Sequence, residues 1–332
     1  MLRALWWDYN PHMSMLSRRE FGSALAAGLP LAAAVRPLRL PGSRVVVGVS
    51  TSSFRDLRRV TGRDNVDDLL RALQAVRATH IELALANVEP APPSTAPFMG
   101  GTPAYPQRVV LTPEQVAATN AAARAALRVW RTQTAAGFSA QVQRKLSAAG
   151  LTVHACALAY DDSFTDDEID ATFRQVKALG ATTISSPLTL ATARRLVPFA
   201  ERHTLSIAIH NQVDGNRAGA IATPDVKQAL ALSPLFKLKL DIGNLTASNC
   251  DAVGELRAWQ SRVSHVLVKD RLRNGGASQP FGEGDTPING VLDFLRDTSS
   301  SIPAMVEYDY VGLRSPVEEV AACMDYLTHA RR

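Results

Sequence analysis

With 332 residues, 46% of them apolar, the chain can hold one large α/β domain or two ordinary ones around an ample core. Its formal net charge of +5 is concentrated at the front, where residues 1–44 carry six Arg against Asp8 and Glu20, leaving about +1 on the remainder. A near-neutral remainder removes the main support for a nucleic-acid-binding surface, and the three widely spaced cysteines, Cys156, Cys250 and Cys323, form neither a zinc pattern nor a disulfide framework.

Residues 1–44 read as a leader and linker rather than as fold. Ser17-Arg18-Arg19-Glu20-Phe21 is a twin-arginine pattern, followed by the weakly apolar run Gly22 to Val35, in which Ala32-Ala33-Ala34 supplies the small residues a signal peptidase cuts after. The run is too short and too rich in Ala and Gly for a stable membrane span. The expectation is export by the twin-arginine machinery and a periplasmic mature chain, residues 45–332, with Met13 and Met15 as alternative starts.

The remainder alternates strand and helix. Arg44 to Ser50 is a first strand, Val66 to Arg77 an amphipathic helix with Leu69, Leu70, Leu73 and Val76 on one face, and Thr79 to Leu83 a second strand. Residues 86–111 are rich in Pro and Gly without a period and read as a long loop. Helices near Pro113–Val129 and Ser139–Ala149 lead to a strand at Thr152–Leu158, and Asp166–Leu179 is a helix that Gly180 should stop in the left-handed conformation. Strands at Thr182–Ser185, Leu205–His210, Leu238–Asp241, Val263–Lys269 and Ala304–Tyr308 alternate with helices at Ala191–His203, Pro224–Leu232, Val253–Gln260, Ile288–Arg296 and Val317–Ala330. Eight strands each followed by a helix predict a single-domain (β/α)8 TIM barrel over residues 45–332, whose chemistry lies at the C-terminal strand ends. No dinucleotide fingerprint or Walker motif is present.

Those ends collect polar residues: Glu82, Ser185, Ser186, His210, Asn211, Asp241, Asn244, His265, Lys269, Asp270, Glu307 and Asp309. An ionisable Asp241 closing the buried run Leu238-Lys239-Leu240 must be paired, protonated or bound to a cation, or else cap the next helix. His210, Asp241 and Glu307 end strands five, six and eight, and one imidazole with two carboxylates suits a divalent ion such as Mn²⁺, Fe²⁺, Co²⁺ or Zn²⁺. The alternative for Glu307 is an ion pair with Lys269 or Arg271.

Ser206-Ile-Ala-Ile-His-Asn211, Leu240-Asp-Ile-Gly-Asn244, His265-Val-Leu-Val-Lys-Asp-Arg271, Gly282-Glu-Gly-Asp-Thr-Pro287 and Val306-Glu-Tyr308 together resemble the xylose isomerase-like TIM-barrel family, over roughly residues 45–328. The family includes sugar and sugar-phosphate isomerases and epimerases, inosose dehydratases and endonuclease IV. The resemblance implies a divalent ion held by Glu, Asp, His and Glu on strands five to eight, with the two glutamates shuttling protons; members often pair, which implies a homodimer. Asp241 and Glu307 match that pattern, and His210 stands at the strand-five position. The strand-seven position is Leu267, because the chain has His265-Val266-Leu267 where the family has His-x-His. Two readings follow: a weakened metal site on His210, Asp241 and Glu307, or loss of the metal with Lys269 supplying the positive charge. Alternation puts His265, Leu267 and Lys269 on one side of their strand, His265 deepest.

The functional expectation is an exported sugar isomerase or epimerase that removes a proton next to a carbonyl, with Glu307 and His210 as acid/bases and a cation at the oxyanion. A sugar lyase or dehydratase, and a non-catalytic carbohydrate-binding barrel, are the alternatives. An unphosphorylated or oxidised sugar suits the exported setting. Substrate contacts are expected from Glu82, Asn211, Asn244, His265, Arg271 and Trp130; Glu82 reads equally as a rim ion pair and Trp130 as a packing residue. Gly282-Glu283-Gly284-Asp285 is either a pocket-shaping loop or a plain turn. A three-zinc nuclease needs more ligands than seven His and the available carboxylates offer.

Overall fold

The computed structural model describes residues 36–57, 65–91, 98–102, 105–213 and 224–329. The twin-arginine segment lies outside them. Part of the stretch read as linker packs onto the domain: Arg39 bridges Val46, the Leu38 N–H donates to Thr79 Oγ1 at 3.0 Å, and Leu40 is buried.

Eight parallel strands close into a barrel: β1 Val47–Ser50, β2 His80–Ala84, β3 Thr152–Ala157, β4 Thr183–Ser186, β5 Ser206–His210, β6 Phe236–Asp241, β7 Val263–Val268 and β8 Ala304–Val306. All eight match the predicted strands to within a few residues. The helices α1 Val66–Ala75, α2 Pro113–Gln133, α3 Ala135–Ala148, α4 Asp166–Ala178, α5 Leu190–His203, α6 Pro224–Leu232, α7 Ile242–Ala247, α8 Ala252–Trp259, α9 Ile288–Asp297 and α10 Pro316–His329 connect the strands. Gly180 ends the α4 segment at φ +79°, as the sequence required. Two features differ from expectation. The long loop contains an antiparallel hairpin, Phe98–Thr102 with Tyr105–Val109, whose Gly100, Gly101 and Pro106 hide its strand character. The six-residue α7 follows β6 directly, too short to carry a 3.6-residue period.

Period-two alternation sorts each strand's residues to two environments. Val47, Val49, Ile81, Leu83, Ile184, Ile207, Ile209, Leu238, Leu240, Val266, Val268, Ala304 and Val306 join the apolar layer beneath the helices. The intervening residues line the barrel interior, and there the composition is unusual for a core. Glu82 is fully buried and accepts from Lys239 Nζ (2.8 Å) and Ser185 Oγ (2.5 Å), with His265 Nε2 at 3.1 Å. Burial opposes ionisation of Glu82, but Lys239 and His265 overcome it and hold the carboxyl well below its ordinary range. Met305 fills the space beside β1 because Gly48 has no side chain: a Cβ there would lie 2.5 Å from Met305 Sδ and 2.6 Å from the His80 carbonyl.

On the outside, Glu168 of α4 is fully buried and takes Arg124 (2.6 and 2.8 Å) and Arg131 (2.9 Å) from α2, while Arg131 also grips Glu89 after β2 with two bonds of 2.8 Å. This clamp fixes the long α2 against the barrel.

A buried pair that loses one member leaves a charge without a partner. Lys239→Met should therefore destabilise the protein by about 3–5 kcal/mol in urea unfolding, whereas Glu82→Met combined with Lys239→Met should recover most of that loss. A single variant within about 1 kcal/mol of wild type would show that Glu82 and Lys239 are not an obligatory pair.

Candidate active site at the C-terminal strand ends

One layer above Glu82 and Lys239, four strands deliver a second polar cluster. β6 ends in Asp241, whose backbone is bracketed by Asn211: Asp241 N–H donates to Asn211 Oδ1 (2.8 Å) and Asn211 Nδ2 donates to the Asp241 carbonyl (3.0 Å). Asn244 Nδ2 returns a bond to the Asn211 carbonyl at 3.0 Å, so the two amides join the β5 and β6 ends after regular pairing stops. Asp241 is the N-cap of α7, with Oδ1 accepting from Asn244 N–H at 2.8 Å. The capping alternative is therefore real, but it uses only one carboxylate oxygen.

The other oxygen, Oδ2, meets His210 Nε2 at 3.1 Å and Lys269 Nζ at 3.0 Å. Lys269 Nζ continues to Glu307 Oε2 at 3.2 Å and Asp309 Oδ2 at 3.3 Å. Glu307 is held just past β8 by its N–H to the Val268 carbonyl, 3.0 Å. A continuous polar chain thus runs His210, Asp241, Lys269, Glu307 across four successive strands. Asp241, Lys269 and Glu307 are buried, while the His210 side chain keeps 17% and Asp309 37% of its exposure.

The electrostatics follow from this packing. Burial disfavours a charged Asp241, but Lys269, His210 and the Asn244 N–H overcome it and hold the carboxyl far below its ordinary range. Burial likewise opposes a charged Lys269, yet Asp241, Glu307 and Asp309 raise it well above an ordinary lysine. Burial, with repulsion from Lys239 and Lys269, pushes His210 below its usual 6.5 despite Asp241. At neutral pH the ring is accordingly neutral. Donating Nε2–H to Asp241 leaves Nδ1 as an acceptor.

The expected metal set does not fit. Among the described residues no group of three His, Cys, Asp or Glu is drawn together to hold an ion. Asp241 and Glu307 instead share the Lys269 ammonium, and the strand-seven position between them carries the donorless Leu267, paired in register with Asp241 and with Met305. A divalent ion about 4 Å from that ammonium would be repelled by on the order of 8 kcal/mol at an effective dielectric of about 20.

The expected substrate contacts also change. Glu82 and His265 lie in the closed interior layer, bonded to each other, because their register places them below the strand ends. Asn211 and Asn244 tie backbone, and Arg271 is shared between Asn244 Oδ1 (2.8 Å) and the Gly276 carbonyl (2.8 and 3.1 Å), not Glu307. Trp130, on α2, packs edge-on against Phe138 with centroids 5.7 Å apart. The Gly282-Glu283-Gly284-Asp285 loop wraps the buried Asp270, whose carboxylate accepts from the N–H groups of Gly282 (2.8 Å), Gly284 (3.0 Å) and Thr286 (3.1 Å). Lys239 escaped the sequence reading, although it stands two residues before Asp241 and so faces the same way.

No family model matches the chain. The L-ribulose-5-phosphate 3-epimerase UlaE of Salmonella paratyphi A is 32% identical over 95 residues, 29% of this chain and 34% of that protein, and the Escherichia coli enzyme of the same name matches equally. The chain thus spans about a third of the length of the curated relatives it matches. Solved structures resemble it over most of both chains. The probable 3-DHS dehydratase AsbF of Bacillus anthracis has a TM-score of 0.58 at 12% identity, covering 86% of this chain and 99% of its own. A sugar phosphate isomerase/epimerase from Parabacteroides distasonis ATCC 8503 gives 0.53 at 13%, covering 90% and 98%. The IolI protein, crystallised with a zinc atom, gives 0.53 at 11%, covering 86% and 98%. At these identities the likeness establishes the (β/α)8 barrel fold alone.

The sign of the pH dependence is set by the shifts. Asp241 is depressed, so its contribution is full above its ordinary 3.8 and fades as pH falls below that. Lys269 is raised, so its contribution is full below 10.5 and fades above it. Asp241→Asn should cost about 3 kcal/mol near neutrality and flatten the acid limb of a urea-stability profile; an unchanged acid limb would show that Asp241 is not the titrating group.

Proposed function

We propose that the chain is a sugar isomerase or epimerase that moves a proton on the carbon next to a carbonyl. The observation that carries this reading is the chain His210, Asp241, Lys269, Glu307 at the C-terminal strand ends, with contacts of 3.1, 3.0 and 3.2 Å. It supplies two proton-handling groups, one on each side of a fixed cation, where this fold places its chemistry. In the forward step one of them takes the C–H proton, the bonding pair moves into a new C–C double bond, and the carbonyl pair moves onto oxygen. Return of a proton to the neighbouring carbon, with the hydroxyl proton passing to the former carbonyl oxygen so that the hydroxyl becomes the new carbonyl, isomerises the sugar; return to the opposite face of the same carbon epimerises it.

Asp241 orients His210 and leaves Nδ1 as the base, while Glu307 has Oε2 on Lys269 and offers Oε1. The cations of this rim are committed among the described residues: Lys269 to three carboxylates, Arg55 to Asp309 (3.6 Å) and the Tyr308 carbonyl (3.0 Å), Arg271 to Asn244 and Gly276. That commitment favours a neutral or weakly charged sugar over a phosphorylated one. The twin-arginine pattern at Arg18-Arg19 supports the same choice, because export would place the enzyme in the periplasm.

The test is proton exchange in D2O, with unphosphorylated aldoses, ketoses and keto-sugar acids followed by NMR. Deuterium should enter the carbon next to the carbonyl, and His210→Ala and Glu307→Gln should each slow entry by about 10²–10⁴-fold. Because the base form of His210 is neutral and its pKa is lowered, kcat/KM should fall only below pH 6.5. Loss of a hydroxyl along with exchange would make the enzyme a dehydratase; no exchange with any of these sugars would remove the proton-transfer reading.

A further inference from the structure

We propose that Lys269 stands permanently in the place of a divalent ion: its ammonium, fixed between Asp241 and Glu307, is the cation that stabilises the enediolate oxygen, and the enzyme works without bound metal. The inference deepens the proton-transfer reading and rests on it for the role of the oxyanion, but the identity of the cation can be tested separately.

Three observations carry it. First, the strand between Asp241 and Glu307 presents Leu267 at the level of Asp241, so the donor that would complete an ion's shell is replaced by a side chain with no lone pair. Second, Lys269, two residues nearer the mouth on the same side of the chain, reaches back into the gap and contacts carboxylates from both flanking strands at 3.0 and 3.2 Å. Third, the backbone is shaped for that reach. A Cβ on Gly243 would lie 2.7 Å from Lys269 Cγ and 2.9 Å from the Lys269 carbonyl, so the stem lies against α7 only because residue 243 has no side chain.

An ammonium has three N–H donors, and all three are taken, by Asp241, Glu307 and Asp309. To donate to a substrate oxygen Lys269 must release one of them. Asp309 is the partner that yields: it is the most exposed, its contact is the longest at 3.3 Å, and Arg55 (3.6 Å) and Ser278 (3.3 Å) remain to hold it. The step needs no oxidant or reductant, since the carbonyl pair moves onto oxygen as the proton leaves carbon and returns when carbon is reprotonated.

The experiment uses the full chain, dialysed against EDTA, incubated with Mn²⁺ or Zn²⁺ and measured by elemental mass spectrometry, with the D2O exchange assay in parallel. Wild type should remain far below one ion per chain, and Leu267→His combined with Lys269→Met should take up about one, because that pair restores a donor and removes the competing charge. EDTA should leave wild-type exchange unchanged. Lys269→Met should lower kcat by about 10²–10³-fold with KM nearly constant and without rescue by added metal, while Lys269→Arg, which keeps the charge and guards against misfolding, should retain more activity. About one ion per wild-type chain that disappears in Asp241→Ala, or exchange abolished by EDTA and restored by Mn²⁺ or Zn²⁺, would overturn the proposal. If no sugar exchanges with any form, the proton-transfer reading falls; the stoichiometry of wild type against the double variant still decides whether lysine stands where an ion would.

Discussion

Two buried lysines on neighbouring strands govern the inside of this barrel. Lys239 of β6 and Lys269 beyond β7 both point inward, and neither can remain charged there without carboxylates brought from elsewhere in the chain. Glu82, 157 residues away in sequence, answers the first, and Asp241, Glu307 and Asp309 answer the second. Each match requires the barrel to be closed in its observed register, because a one-residue slip of any contributing strand would turn its charge into the apolar layer. The charged column is thus a demand on register.

The column has two storeys with different exposure and different consequences. The lower one, with Glu82, Ser185, Lys239 and His265, is sealed and satisfied within itself, and it forms a polar floor for the layer above. The upper one opens to the mouth through His210 and Asp309 while keeping Asp241 and Lys269 buried. Low local dielectric strengthens the attraction between the Lys269 ammonium and the Asp241 and Glu307 carboxylates that hold it in place. Asn211 and Asn244, which a sequence reading assigns to substrate, join the β5 and β6 ends beyond their last ladder bonds and so aim Asp241, and Arg271 holds the Asn244 amide.

The rim loop Gly282–Asp285 and the α2 clamp show the same economy of structure. Asp270, adjacent to Lys269, gathers three backbone N–H groups and fixes the loop after β7, while Arg131 joins β2, α2 and α4 through Glu89 and Glu168. In one dimension the loop reads as either pocket-shaping or a plain turn, and the clamp is not visible. In three dimensions they are the fixtures that keep the strand ends where the site needs them.

The order of strands and helices, the barrel they imply and the gathering of His210, Asp241, Lys269 and Glu307 at one end were all legible from hydrophobic periodicity, because alternation with period two and period 3.6 is a local property. The missing donor at Leu267 was equally visible. What the sequence left open was which cationic side chain reaches the two carboxylates, and how far Glu82, His265 and the asparagines bond to one another. Those answers depend on distances between strands far apart in the chain, on the stagger that sets each residue's depth, and on the room that Gly243 leaves for one lysine stem. Only the closed tertiary structure fixes such distances, and with them the pairing that decides which charges are free to do chemistry.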